Sequence, residues 1–221
     1  FAIKIAKKLN GEIINADSIQ IYKELKILSA RPLKKNFKNI KHHLYGFQNV
    51  KKNFSTGNWL KLVDKKIIDL KKRKKTPILV GGTGLYFKTL TEGIVAIPNI
   101  TMKNRNKIIT LQKKIGQKNF YKKLLKLDPL IKNYIDANDV QRSIRAYEIK
   151  LFLKKSIVTW QKNTKAFFDL DDFIKIYIDF PRDILIDRIK SRVEDMFRQG
   201  AVAEVKKFMK LKIKKINTAN K

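Results

Sequence analysis

Two short apolar segments, Glu12 to Ala16 (EIINA) and Ile78-Leu79-Val80, each run straight into a turn, and a helix-length amphipathic stretch lies between them. Both segments are too short for helices and are bounded by turn residues, Asp17-Ser18 after the first and Gly81-Gly82-Thr83-Gly84 after the second. The stretch between them places Trp59, Val63, Ile67 and Leu70 on one helical face, with Ser55 and Thr56 able to cap its start and the basic run Lys71 to Lys75 at its end. Ala2, Ile5, Ala6 and Leu9 follow helical spacing before the first strand, and Leu85-Tyr86-Phe87 opens a helix after the second. Helix, strand, helix, strand, helix at these lengths predicts an α/β fold, a parallel sheet with crossover helices.

From Pro98 the pattern changes. Lys103 to Ile115, Asn119 to Lys126, Pro129 to Ile135 and Asp139 to Lys154 all read as helices, with Asp128-Pro129 and Asn138-Asp139 as starts. We expect an all-helical insertion domain over 99–168, flanked by the first part of the α/β core, 1–98, and its continuation, 169–221. The core resumes in a strand with Ile174, Ile176 and Ile178 alternating, and then a helix whose inward stripe is Leu185, Ile189, Val193 and Met196. The lysine-rich stretch Leu211 to Lys221 carries no capping signal.

Composition narrows the function. Fifty-one Lys and Arg stand against 19 Asp and Glu, a formal charge of +32, while 43% apolar residues provide for a core. Such a charge attracts polyanions, nucleic acid foremost, although a lysine bias in the whole genome would produce much of it. The nine arginines are therefore the more informative cations, since their planar forks grip phosphate with two hydrogen bonds. The absence of cysteine excludes disulfides, thiolate metal sites and a Cys nucleophile, and His42 and His43, the two histidines, are too few for a histidine zinc site and are read as structural. No apolar run approaches the roughly 18 residues a membrane helix needs, so we expect a cytoplasmic protein with no membrane contact, acting as a monomer.

Ligands of open parallel sheets bind beyond the carboxyl ends of the strands, which is where Asp17 to Gln20 and Gly81 to Gly84 fall. The glycine turn either lets backbone approach an anionic ligand or is only a tight connection, and it lacks the lysine of a Walker A loop. Asp17 is either a catalytic carboxylate or a helix cap. On the helix from Asp139, Gln141, Arg142 and Arg145 cluster away from the stripe of Val140, Ile144, Tyr147 and Leu151, either as a binding flank or as a solvated face. Arg182, Arg188 and Arg192 pose the same choice.

Together these segments resemble one family, the tRNA dimethylallyltransferases, also called tRNA isopentenyltransferases. The resemblance rests on LNGEIINADSIQIYKELKILSARP (Leu9 to Pro32), HHL (His42 to Leu44), PILVGGTGLYFKTLTEG (Pro77 to Gly93), Asp128-Pro129, NDVQRSIRAYEI (Asn138 to Ile149) and RVEDMFRQGAVAEV (Arg192 to Val205), in family order. It implies a P-loop NTPase-like core with a helical insertion. It also implies a strand and phosphate-binding loop ahead of Phe1 and a further tRNA-contacting segment from about Asn217 onward, so the chain is expected to be a family member lacking both ends.

The implied reaction moves a dimethylallyl group from dimethylallyl diphosphate to the N6 amine of adenosine 37 in the tRNA anticodon loop, with Mg²⁺. By resemblance Asp17 is the general base, and Thr83 lines the channel where amine and allyl donor meet. Asp17, Ser18, Ile19, Gln20, Thr83, Arg105, Gln141, Arg142, Ser143, Ile144 and Arg145 match tRNA-contacting positions. Arg182, Arg188 and Arg192 are assigned to diphosphate or RNA backbone. A nucleotide-kinase-like phosphotransferase and a non-catalytic RNA-binding module are the competing readings; the large basic insertion argues against the first, and the second leaves Asp17 and Thr83 without a role.

Overall fold

A computed structural model describes residues 1–162 and 164–213. Helix α1 (Ala2–Lys8) leads into strand β1 (Gly11–Asn15), which lies at the centre of a three-stranded parallel sheet. On one side is β2 (His42–His43), paired Ile13 to His42 and Ile14 to His43; on the other is β3 (Thr76–Val80), paired from Gly11–Thr76 to Asn15–Val80. All five β1 residues are buried, Glu12 and Asn15 among them, as expected of the central strand of a parallel sheet covered on both faces.

The crossover from β2 to β3 is helix α2 (Thr56–Lys72). Ser55 accepts a hydrogen bond from the Asn58 amide at 3.1 Å, capping it. Trp59, Val63, Ile67 and Leu70, all fully buried, pack with Ile14, Ala16, Tyr86, Leu90 and Phe168. Each such side chain contributes about 1.5–3 kcal/mol, against about 1 kcal/mol for the cap, so packing holds this helix and the cap sets its start. Helix α3 (Gly84–Glu92) follows β3 through the glycine turn.

The chain divides into two units, one of residues 1–91 with the chain from Phe167 onward, the other Glu92–Ala166. The sequence pattern put these boundaries at 98/99 and 168/169. The second unit is all helix. Its α4 (Met102–Leu127) runs through the expected break as one element kinked at Gly116, whose φ of 74° lies in the left-handed region that glycine tolerates. The helix expected over Pro129 to Ile135 is only a 3₁₀ turn, Pro129–Ile131. Helix α5 (Val140–Leu153) starts where the sequence indicated, with Asp139 accepting from the Arg142 amide at 2.9 Å, and α6 (Ile157–Gln161) closes the unit. Ile108, Phe120 and Leu124 of α4 pack with Ile144 and Tyr147 of α5 and Val158 of α6.

Two expectations for the returning core are corrected. Residues 174–178 form no strand, and Ile174 and Tyr177 are 94% and 89% exposed. Alternation favours a strand only where a neighbour completes the ladder, and none of the described strands does. Helix α7 (Arg182–Arg198) forms, but its stripe of Leu185, Ile189 and Val193 is nearly half exposed, with no core cluster among the described residues to cover it. The next helix, α8 (Ala201–Lys210), is fastened firmly: the Glu204 carboxylate accepts from the amides of Lys26, Ile27 and Leu28 at 2.9–3.0 Å, and Phe208 packs on Ile21, Tyr22, Leu25 and Val50. The segment expected from Asn217 lies outside the described residues.

Candidate active site

The site begins at a buried polar residue inside an apolar strand. Asn15 ends β1 with no exposure. Its amide nitrogen donates to the Asp17 and Leu44 carbonyls at 2.9 and 3.0 Å, its side-chain oxygen accepts from the Asp17 amide at 3.0 Å, and its own carbonyl accepts from the Trp59 indole at 3.0 Å. One asparagine thus satisfies itself completely and fixes the backbone entering Asp17. Trp59 in turn stacks on Tyr86 with ring centroids 4.1 Å apart, so the core side chains of α2 and α3 buttress the loop.

Asp17 divides its carboxylate between two tasks. Oδ1 accepts from the Ile19 and Gln20 amides at 2.8 and 3.3 Å, closing a turn and not capping a helix, since none follows here, while Oδ2 accepts no hydrogen bond among the described residues. Burial, with the Asp17 charge nearby, pushes the Tyr45 hydroxyl up to about 12 and raises that of Tyr86 as well, so both phenols beside the loop stay protonated.

The glycine turn meets this loop directly. Thr83 Oγ1 accepts from the Ser18 amide at 2.9 Å and donates to Ser18 Oγ at 3.2 Å, and the Thr83 amide reaches the Ala16 carbonyl at 3.3 Å. A Cβ at Gly81 would stand 2.2 Å from the Ala16 carbonyl carbon and oxygen, so only glycine lets the strand tips close up. Ile19 is exposed, and the Gln20 side chain donates to the Ser29 carbonyl at 3.1 Å.

In the helical unit the expected flank is only partly a surface. Gln141 is exposed, and Arg142 is 74% exposed and pairs with Asp139 at 3.2 Å. Arg145 is half-buried, its Nη1 2.6 Å from Oε1 of Glu148. Between them Ser143 and Ile144 are buried, Ile144 in the core and Ser143 accepting from Gln117 at 3.2 Å, so the exposed side chains of this segment are those of Gln141 and Arg142. The apolar face of α5 is broader than its stripe because Ala146 and Ile149 also turn inward. Arg105, in the first turn of α4, is 44% exposed.

On α7, Arg188 and Arg192 line a cavity of about 440 Å³ with Lys26, Arg31 and Ser191, and the Arg188 guanidinium lies 4.0 Å over the Phe180 ring. Arg182, the first residue of α7, is not part of that lining. His43 and His42 are occupied structurally, the first with Glu12 at 2.6 Å, the second with the Ile40 carbonyl at 2.8 Å and stacked on Phe37. Among the described residues no group of three or more His, Asp or Glu side chains is disposed to hold a metal. Nor is any described helix long and apolar enough to cross a membrane. Asn15, Glu148 and Glu204 escaped the sequence reading. A lone asparagine in an apolar strand and a glutamate three residues after an arginine were the available signals for the first two; nothing local marked Glu204.

A parallel α/β core with a carboxylate and a hydroxyl at adjoining strand tips, interrupted by an arginine-bearing helical unit, defines a narrow architectural class. The IPP transferase family profile matches residues 20–221, and the chain belongs to that family. It is 59% identical to the tRNA dimethylallyltransferase of Pelagibacter ubique over its whole length, covering 71% of that relative, and 41% identical to that of Rickettsia massiliae, covering 91% of this chain and 56% of the relative. The crystal structure of a eukaryotic dimethylallyltransferase acting on tRNA superposes with a TM-score of 0.81 at 27% identity, over 95% of this chain and 52% of that one. The tRNA isopentenylpyrophosphate transferase of Bacillus halodurans gives 0.63 at 27% identity, over 99% and 67%. The chain thus spans only about half the length of several proteins it matches.

Proposed function

We propose that this protein transfers a dimethylallyl group from dimethylallyl diphosphate to the N6 amine of adenosine 37 in tRNA. The observation that carries the reading is the junction of Thr83 with Ser18 beside the uncommitted oxygen of Asp17, at the carboxyl ends of β1 and β3. Names of relatives and membership of the family support the choice of substrates.

The adenine amine is a poor nucleophile because its lone pair is delocalised into the ring, so bond formation needs a base for its departing proton. Asp17 Oδ2 takes that proton while Oδ1, gripped by two amides, fixes the carboxylate's direction. The N6–C bond forms as the allylic C–O bond breaks and diphosphate leaves with the bonding electrons. Thr83 has spent its one donor on Ser18 Oγ and one lone pair on the Ser18 amide, so a second lone pair remains to accept from an N6–H and orient the amine.

The target base is stacked in its loop and has to be flipped out, at a cost of a few kcal/mol, before it reaches the strand tips. Gln141, Arg142, Arg145 and Arg105 hold the opened loop by phosphate contacts and stacking. Arg188 and Arg192, which line one cavity, bind phosphate, of the leaving group or of the RNA backbone, and Arg182 is a further candidate at the start of the same helix. Mg²⁺ would neutralise charge on the diphosphate. Among the described residues no cluster of carboxylates and histidines stands ready for it, which suits an ion carried mainly by phosphate and water and not a dedicated protein cage.

The test is the reaction itself. The full chain, given tRNA, dimethylallyl diphosphate and Mg²⁺, is expected to yield adenosine carrying one dimethylallyl group in place of a proton, detected by mass spectrometry of the nucleosides. Unmodified adenosine under conditions where tRNA is bound would reject the transferase reading.

A further inference from the structure

One residue of the helical unit has a role that neither the motif nor the proposed chemistry assigns. Glu148 is completely buried, and its two oxygens are treated differently. Oε1 accepts the 2.6 Å hydrogen bond from Arg145 Nη1; Oε2 accepts none among the described residues, and Arg105 Nε lies 3.9 Å from it. A buried carboxylate left without a countercharge is strongly unfavourable, so the fold tolerates Glu148 only with cations drawn in from the surface. It draws two, from different helices, each keeping a third or more of its side chain exposed, 44% for Arg105 and 33% for Arg145.

We propose that Glu148 is a positioning residue for RNA recognition, holding Arg145 by a direct hydrogen bond and Arg105 by charge, so that the two guanidiniums act as one preorganised unit. This rests on the tRNA-transferase reading above. A guanidinium has five N–H donors, and the one bond from Arg145 to Glu148 leaves four for phosphate or base edges. Two positive groups on one negative leave a surplus positive charge at the surface, as a polyanion site requires. Long arginine side chains otherwise lose much rotamer freedom on binding, and anchoring them beforehand removes part of that cost.

Binding and turnover of the full chain with tRNA test this. Glu148→Gln keeps the shape and removes the charge. It is expected to raise Kd and KM for tRNA about tenfold while leaving kcat at saturating tRNA and KM for dimethylallyl diphosphate within about twofold. The sign is informative, because deleting a negative charge from a polyanion-binding surface would by bulk electrostatics alone tighten binding. Unchanged or tighter tRNA binding by a folded Glu148→Gln overturns the inference. Arg105→Ala and Arg145→Ala are each expected to weaken binding, and together by clearly less than the product of their single effects, since each guanidinium's place depends on the carboxylate they share. Purely multiplicative losses overturn it as well, and this cycle decides the matter if Glu148→Gln proves unfolded by its melting curve. A parent chain that binds no tRNA overturns the functional reading and this inference together; a parent that binds while Glu148→Gln is silent overturns the inference alone.

Discussion

Strand β1 has a carboxylate near either end, and the two are built for opposite purposes. At its amino end Glu12, 4% exposed, is saturated: Arg73 reaches it through Nη1 at 2.9 Å and Nη2 at 3.2 Å, and His43 at 2.6 Å. The Arg73 hydrogen bonds, with those of His43, overcome the effect of burial and hold Glu12 down at about 2. Just beyond the carboxyl end Asp17 is half-buried, uses one oxygen to brace its own loop and leaves the other uncommitted. A carboxylate with both oxygens engaged by cationic donors stabilises a fold; one held firmly through a single oxygen is poised to accept a proton. The end of the strand decides which it becomes, because the loops at the carboxyl ends of β1 and β3 meet over Asp17, whereas the amino end is closed by the basic end of α2.

Substitutions at the two ends should therefore separate activity from stability. The largest effect is expected from Asp17→Asn, which keeps the loop's amide contacts but removes the base: kcat should fall by about a hundredfold or more with tRNA affinity and melting temperature little changed. A matching loss of affinity would make Asp17 a binding residue and dissolve the contrast with Glu12. Glu12→Gln should do the reverse, costing about 2 kcal/mol of stability at neutral pH, a figure reduced for the partial exposure of Arg73, with kcat retained below the melting transition.

The sign of the pH dependence follows from the lowered value. The Glu12 contribution is complete above its unfolded value of about 4.5 and is lost as pH falls toward about 2. Denaturant titrations of parent and Glu12→Gln should therefore converge across that window; curves that stay parallel would show that the charge network is not what stabilises this end. The smallest effect is expected from Thr83→Val, which deprives the Ser18 amide of its acceptor and N6 of its orienting lone pair. Turnover should fall about tenfold, with a modest stability loss of about 1 kcal/mol. A silent Thr83→Val would leave Asp17 as the sole chemical group at the strand tips.

The two ends of β1 also differ in how much of them the sequence makes legible. The Asp17 loop and the glycine turn were legible because chain order and strand length place both at the carboxyl edge of a parallel sheet. Their partition of labour was not, since the turn closed by Oδ1 and the vacancy of Oδ2 depend on backbone angles that composition does not encode. Arg145 and Arg142 looked equivalent on a helical wheel. Three-dimensional packing separated them, because Glu148 lies fully inside the unit, against the usual rule that glutamate stays in water. The alternating run Ile174 to Ile178 has the pattern of a strand, and none of the described strands pairs with it.

Local chemistry, then, settled the elements themselves: the starts of α2 and α5, the inward face of Trp59, Val63, Ile67 and Leu70, and the glycine needed after β3. These depend on capping, periodicity and backbone freedom, which act over a few residues and are written along the chain. Folding in three dimensions decided which charges are satisfied and which are available, as in Glu12 with Arg73, Glu204 with the amides of Lys26 to Leu28, and Glu148 between two arginines. Those pairings join residues that are distant in the chain or lie on different helices, and burial alone makes them matter.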